Sequence, residues 1–221
     1  MRSETVAELV RQIETKDRST AAHTWRVVLY ARSMAEEIGM DGDDLRLVTH
    51  AAALHDVGKL DTPSEILQKP ARLTPDEFEV VTYHPVSGYA RLLDLGVRDE
   101  LILDLVRFHH ERWDGAGYPY RLGGEEIPVV ARVFSVIDAF DAMTSVRPYR
   151  TDVGPEAAER ALDEIERESG THYWPEGARM FAELYRTGRL DYILHHFNDA
   201  APVPDYAHDP DGAPPSHSDN R

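Results

Sequence analysis

The sequence predicts an all-α fold, and three observations carry that expectation. Side chains recur at helical spacing: His23, Val27, Tyr30, Met34 and Ile38 follow at steps of four, three, four and four, the stripe of an amphipathic helix. Helix start and stop signals punctuate the chain, as in Thr74-Pro75-Asp76-Glu77, an N-cap followed by proline at the first position and a glutamate at N3. Strand-type alternation of apolar and polar residues is essentially absent. A length of 221 residues with 42% hydrophobic content suits one domain with a single packed core.

Residues 1–18 read as an N-terminal helix or linker, helical over 3–15 and polar, ahead of a domain at 19–198. The helix carrying His23 starts near Thr20 and stops at Gly39, a glycine suited to the left-handed C′ position. Asp41 is expected to cap the next helix, with Asp44 in its first turn. Leu45, Val48, Ala52 and His55 form its inward stripe, and His50, off that stripe, reads as surface. Thr62-Pro63 ends this stretch. The helix opened by Thr74 leads through Phe78, Val81 and Tyr83 to His84-Pro85, and a second helical piece runs to about Leu95. Another helix covers 98–109, with Leu101, Leu105 and Phe108 leading into His109. A glycine-rich loop occupies 112–128. Val130, Phe134, Ile137, Asp138 and Asp141 then share one helix face, which puts two carboxylates in an apolar stripe. Helices follow from Pro155 to about Ser169, from Pro175 to Tyr185 and from Leu190 to Phe197. Residues 199–221, rich in Pro, Asp, Ser and Gly, are expected to be disordered. His195, His196, His208 and His217 lie in or beside this tail and are set apart from chemistry.

Composition excludes several classes. With no cysteine there is no disulfide framework, thiolate metal site or cysteine nucleophile, which fits a cytoplasmic protein. No apolar run approaches the length of a membrane span. Net charge is 24 − 40 = −16, so nucleic-acid polymers and anionic membranes are poor partners. An anionic small substrate then needs metal ions and a few local cations to invert the field at its site.

The chain is organised around His109-His110-Glu111-Arg112-Trp113-Asp114-Gly115-Ala116-Gly117-Tyr118-Pro119. Adjacent histidines on a helix point about 100° apart and serve neighbouring points of one cluster. Gly115 and Gly117 allow a sharp turn and close backbone approach to a ligand. Other candidate ligands are His23, His55, Asp56, His84 and Asp138. A lone histidine such as His23 is more often a hydrogen-bonded core residue, and Asp141 could instead cap the following turn or bond Ser145. A buried Asp56 or Asp138 is costly unless it is paired or bound to metal. Five imidazoles and two carboxylates without a thiol suit iron, manganese or another borderline divalent ion.

The order His, His-Asp, His, His, Asp along helices resembles the HD phosphohydrolase superfamily. HDVGK at 55–59, His84, HHERWDGAGYP at 109–119 and IDAFDAMTSVRPYR at 137–150 together resemble the HD-GYP family of cyclic-dinucleotide phosphodiesterases, over about residues 20–185. Every fixed position of that family's HH-E-x-x-D-G-x-G-Y-P pattern is met. The resemblance implies a metal-dependent phosphodiesterase that hydrolyses cyclic di-GMP to linear pGpG, with further cleavage to GMP left open, through a metal-activated bridging hydroxide. It implies His23, His55, Asp56 and Asp138 as ligands of one ion. Asp56, His84 and His109 would hold a second, with Asp56 bridging and His110 in the same cluster. Lys59 is implied near the scissile phosphate, Asp141 as an orienting acid, and Gly117, Tyr118, Arg147 and Arg150 as substrate contacts. Two ions rather than three are expected, because Ser19 stands where members with a third site carry glutamate; Asp17 is the nearby carboxylate that could substitute. Trp174 also departs from the family's G-x-x-F-D-P segment. Two alternatives stay open: a hydrolase of another cyclic dinucleotide or nucleotide, and a non-catalytic adaptor docking through the GYP loop. A sensor protein, a diguanylate cyclase and a second copy of the chain are the protein partners the resemblance suggests.

Overall fold

A computed structural model describes residues 1–17, 21–145 and 155–197. Among them are eleven α-helices and two short 3-10 turns, with no strand beyond an isolated bridge between Ser169 and Tyr173. Ser19, Arg147, Arg150 and the tail 199–221 lie outside the described residues.

Helix α1 (Ser3–Asp17) buries Val6, Leu9, Val10 and Ile13, spaced i, i+3, i+4, i+7 as one helical face requires. Those four residues belong to the same hydrophobic cluster as the following helices. Helix α2 (Ala21–Glu37) runs through the centre and buries Trp25, Val28, Tyr30 and Met34. It ends at Gly39, whose φ of 82° is the left-handed stop the sequence predicts. Ile38, expected inward, is exposed, because it lies past the last turn of α2.

Helix α3 (Gly42–Leu54) packs against α1, α2 and α7 (Glu100–Phe108). Neighbours on several sides bury residues 50–54 of α3 all round, so His50 is fully buried rather than superficial. Asp41 takes the extended N-cap conformation but makes no side-chain cap bond. A 3-10 turn (Val57–Asp61) and helix α4 (Ser64–Leu67) lead to α5 (Pro75–Thr82). Thr74 and Glu77 form the expected reciprocal capping box of α5. Phe78 and Tyr83 of this corner are exposed.

Helix α6 (His84–Asp94) packs on the 3-10 turn through Gly58. A Cβ at Gly58 would lie 1.9 Å from the His84 carbonyl oxygen, so only glycine lets the Asp56 turn and the start of α6 touch. Helix α8 (Val129–Thr144) lies against α2, α7 and α9 (Pro155–Arg167). Helices α10 (Pro175–Arg186) and α11 (Asp191–His196) close the bundle. Tyr30, Phe140 and Phe181 meet edge-on or tilted, with centroids 4.8–5.8 Å apart, a favourable aromatic geometry. No helix among the described residues is long and apolar enough to cross a membrane.

Candidate metal centre

The helix ends around Leu54, Tyr83 and Phe108 converge, and each delivers histidine at or next to its terminus. His55 is the C-cap of α3, His84 opens α6, and His109 is the C-cap of α7. All three are buried. Each ring is fixed by the carbonyl three residues earlier. Nδ1 of His55 is 2.7 Å from the Ala52 oxygen, Nδ1 of His84 is 2.8 Å from Val81, and Nδ1 of His109 is 3.0 Å from Val106. A carbonyl only accepts, so each Nδ1 carries the hydrogen and donates it, leaving Nε2 to face the cluster. His23 follows the same rule with a carboxylate: its Nδ1 is 2.7 Å from Asp141 Oδ2.

The ligand atoms form two overlapping groups, His23 with His55 and Asp56, and Asp56 with His84, His109 and His110. Within each group they lie within 4.8 Å of one another. Asp56 belongs to both: Oδ2 is 3.1 Å from His55 Nε2, and Oδ1 is 3.3 Å from His84 Nε2. Asp138 stands further out, its Oδ1 4.0 Å from His55 Nε2.

Electrostatics sort these groups. Burial pushes the pKa of His84 down, only partly offset by Asp56. Burial, then the neighbouring imidazoles, hold His109 and His110 well below the ordinary histidine range, so all three are neutral near pH 7. His84 and His109 therefore direct two Nε2 lone pairs at each other across 3.2 Å, an arrangement that a cation between them relieves. For Asp56, burial alone would raise the pKa; His55 and Lys59 outweigh it and keep the carboxyl charged. The neutral imidazoles of His84, His109 and His110 around a charged carboxylate, with His23, His55, His84 and His109 each oriented through Nδ1, are a donor set that fits a divalent ion once His55 gives up its proton.

Asp141 is fully buried and does not reach the cluster itself. Beside it, Arg26 Nε donates to Asp141 Oδ1, Nη2 donates to Ser145 Oγ at 2.8 Å and Nη1 to the Phe197 carbonyl at 2.7 Å. Burial would raise the Asp141 pKa, but Arg26 and His23 lower it strongly. Sequence reasoning passed over Arg26. Its signal was a single arginine in the apolar run Ala-Ala-His-Thr-Trp-Arg-Val-Val-Leu, three residues after His23 and so on the same helix face.

Lys59 Nζ sits 2.8 Å from Asp56 Oδ2 and 2.8 Å from Asp17 Oδ2. Burial alone would lower its pKa; the two carboxylates reverse that and keep the ammonium charged.

The glycine-rich loop packs over the cluster. Tyr118 stacks on His110, with centroids 4.7 Å apart and planes 29° from parallel, and its N–H donates to the His110 carbonyl at 3.2 Å. Gly117 makes this possible, since a Cβ there would lie 2.4 Å from Arg112 N and 2.6 Å from Glu111 Cα. Glu111 is buried beneath the loop and accepts from the N–H groups of Tyr120 at 2.7 Å and Leu122 at 3.1 Å. Asp114 pairs with Arg112 and accepts from the Ala116 N–H at 2.9 Å, which draws its pKa down to about 2. Trp113 and Asp114 N–H groups donate to the His172 and Thr171 carbonyls. The segment before Trp174 thus serves as a dock for the loop, and Trp174 itself lies over Arg132 at 5.5 Å.

Comparison with known proteins places this all-helical, histidine-rich centre in a class. The model of the HD domain matches residues 7–177. The chain belongs to the HD domain family, and its 109–119 motif is that of the HD-GYP branch. A "Cyclic di-GMP phosphodiesterase" of Thermotoga maritima is 41% identical over 182 residues, 81% of this chain and 48% of that protein. The "Cyclic di-GMP phosphodiesterase response regulator RpfG" of Xanthomonas campestris is 43% identical over 148 residues, 66% of this chain and 39% of that protein. The chain therefore spans less than half the length of these two curated relatives. The crystal structure of a cyclic GMP-AMP specific phosphodiesterase of Vibrio cholerae shares the fold. Its TM-score is 0.66 at 16% identity, over 96% of this chain and 54% of that one.

Proposed function

We propose that the chain is a metal-dependent phosphodiesterase that opens cyclic di-GMP to linear pGpG. The observation that carries this reading is the clustering of imidazoles about Asp56, with Nδ1 of His55, His84 and His109 committed to backbone carbonyls and Nε2 left for the cluster. The names of the Thermotoga and Xanthomonas relatives support the choice of substrate. His23, His55 and Asp56, with Asp138 at the edge, would hold one divalent ion, iron or manganese. Asp56, His84, His109 and His110 would hold a second. When bound, such ions supply Lewis acidity that activates water and offsets phosphodiester charge.

The chain's own residues do the rest. Asp141 and the backbone carbonyls aim the imidazoles. Lys59 presents an ammonium beside Asp56, where it can hold a phosphate oxygen or protonate the leaving oxygen. Tyr118, seated on His110, walls the site with an aromatic face suited to a base. Gly117 lets the loop backbone approach. Arg147 and Arg150 are proposed phosphate or base contacts in a chain of net charge −16. The enzyme would act in the cytoplasm, in keeping with the lack of cysteine.

The test is turnover of cyclic di-GMP, cyclic di-AMP and cyclic GMP-AMP by purified protein loaded with iron or manganese, with metal content measured in parallel. Cyclic di-GMP should be opened fastest, with pGpG as the accumulating product. Full metal content without turnover of any of the three would favour the docking role, and a faster rate on cyclic GMP-AMP would reassign the substrate.

A further inference from the structure

We propose that Asp17 is a positioning residue of the reaction, acting through Lys59. The proposal rests on the reading above that Lys59 faces the phosphodiester. Asp17 is the last residue of α1 and lies 42 positions before Lys59, yet their charged atoms are 2.8 Å apart. Both side chains are only 19% exposed.

A lysine ammonium is a point charge on a flexible four-carbon stem. One anchor, Asp56, fixes a distance but not a direction. Asp56 Oδ2 is moreover shared with His55 Nε2 at 3.1 Å, so it cannot be devoted to Lys59. A second carboxylate, arriving from a different element, fixes where the third donor of the ammonium points. Asp17 is well placed for this because α1 does not drift: Val6, Leu9, Val10 and Ile13 are buried in the core, and Gln68 Nε2 donates to the Lys16 carbonyl at 2.9 Å. The same contact argues against Asp17 as a ligand of a further metal ion, since a cation on that carboxylate would have to displace Lys59. Helix α1 thus contributes to the site as well as to the core.

The test uses the full chain carrying Asp17→Asn, which keeps size and removes charge, beside Asp17→Glu and Lys59→Met. With metal-loaded protein and bis(p-nitrophenyl) phosphate as the probe, Asp17→Asn should lower kcat about tenfold with little change in KM, the scale expected when a catalytic group is misplaced by an ångström or less. Asp17→Glu should recover part of the rate. Placing Asp17→Asn in the Lys59→Met background should cost nothing further. A crystal structure of Asp17→Asn should show Lys59 Nζ displaced from Asp56, a readout independent of turnover and of the natural substrate. An unmoved Lys59, a fall in bound metal, or an undiminished loss in the Lys59→Met background would each overturn the proposal. Failure on cyclic di-GMP with the effect retained on the probe would count against the substrate assignment alone.

Discussion

Asp141 Oδ2 stands 2.7 Å from His23 Nδ1, while the same carboxylate receives Arg26 from its other side. A fully buried charge is tolerable only with such partners. Arg26 therefore links the orientation of a candidate ligand to the segment that follows α11, since its third bond reaches the Phe197 carbonyl. Replacing Arg26 with methionine keeps length but leaves Asp141 with one cationic partner fewer. The expected cost is about 3–5 kcal/mol of stability, the range for breaking a buried pair. Urea denaturation of metal-free protein measures it without reference to activity. A loss below about 1 kcal/mol, the scale of a surface ion pair, would show that Arg26 is not the counter-charge of Asp141.

Asp56 is the one residue shared by both ligand groups. Asp56→Ala should abolish turnover and weaken metal binding by about 10²-fold or more, because both groups lose a charged donor together. Lys59 would lose one of its two carboxylates as well. Elemental analysis after dialysis checks the first effect. A variant that keeps its full metal and a near-normal rate would remove Asp56 from the centre of the chemistry.

Much of the fold is written locally. The capping box at Thr74, the stop at Gly39 and the apolar stripes of α1 and α2 are short-range signals, and their helices lie where those signals put them. The residues brought together around Asp56 were also legible, because His23, His55, His84 and His109 sit at helix ends or on inward faces. What depends on three-dimensional packing was not. His50 looks superficial on a helical wheel drawn for a helix with one buried face, yet α3 has neighbours on several sides. No spacing rule links Asp17 to Lys59 or Arg26 to Phe197 across 42 and 171 residues. Glu111 was seen as part of a motif, but its work under the loop needs the loop's path, which no local signal encodes.

The imidazoles give metal-free protein a definite pH window. His84, His109 and His110 bind protons less readily folded than unfolded, where histidine titrates near 6.5. Their contribution is fully present above pH 6.5 and is lost as pH falls below it, since the unfolded chain then takes up more protons. His55 behaves oppositely. Burial lowers its pKa, but Asp56 and Asp138 raise it further, to about 9. Its contribution is present below 6.5 and is lost as pH rises through 9. Chelator-treated protein should therefore be most stable near pH 6.5, with melting temperature falling as pH drops below that value and falling again as pH rises from 6.5 towards 9. Binding of a divalent ion near pH 7 should release a proton from His55, which calorimetry in buffers of different ionisation enthalpy detects. A stability that rises steadily from pH 7 down to 5 would contradict the burial of these rings.

The loop over the cluster should depend on Glu111 more than on any residue exposed along it. Glu111 is 2% exposed, and its two oxygens accept from Tyr120 and Leu122 N–H groups at 2.7 and 3.1 Å. Two residues before Tyr120, Tyr118 is the ring that covers His110. Glu111→Ala removes both acceptors while leaving the two N–H groups in place. Leaving buried donors unmade costs about 1–3 kcal/mol in all, since Tyr120 lies near enough to solvent for water to satisfy part of the loss. Glu111→Gln is close in shape but is not a rescue. One of its two positions becomes an NH2 group, which sets a donor against a backbone donor. Both variants should therefore loosen the loop, Ala more than Gln. The functional consequence follows from position. Glu111 is not among the clustered ligand atoms, so bound metal should stay near that of the unmodified chain. Tyr118 would lose its fixed stacking, so KM for the cyclic dinucleotide should rise by about 5–10-fold, the equivalent of roughly 1–1.4 kcal/mol. Unchanged KM and melting temperature in Glu111→Ala would show that Asp114 with Arg112 and the dock at Thr171 and His172 hold the loop without it.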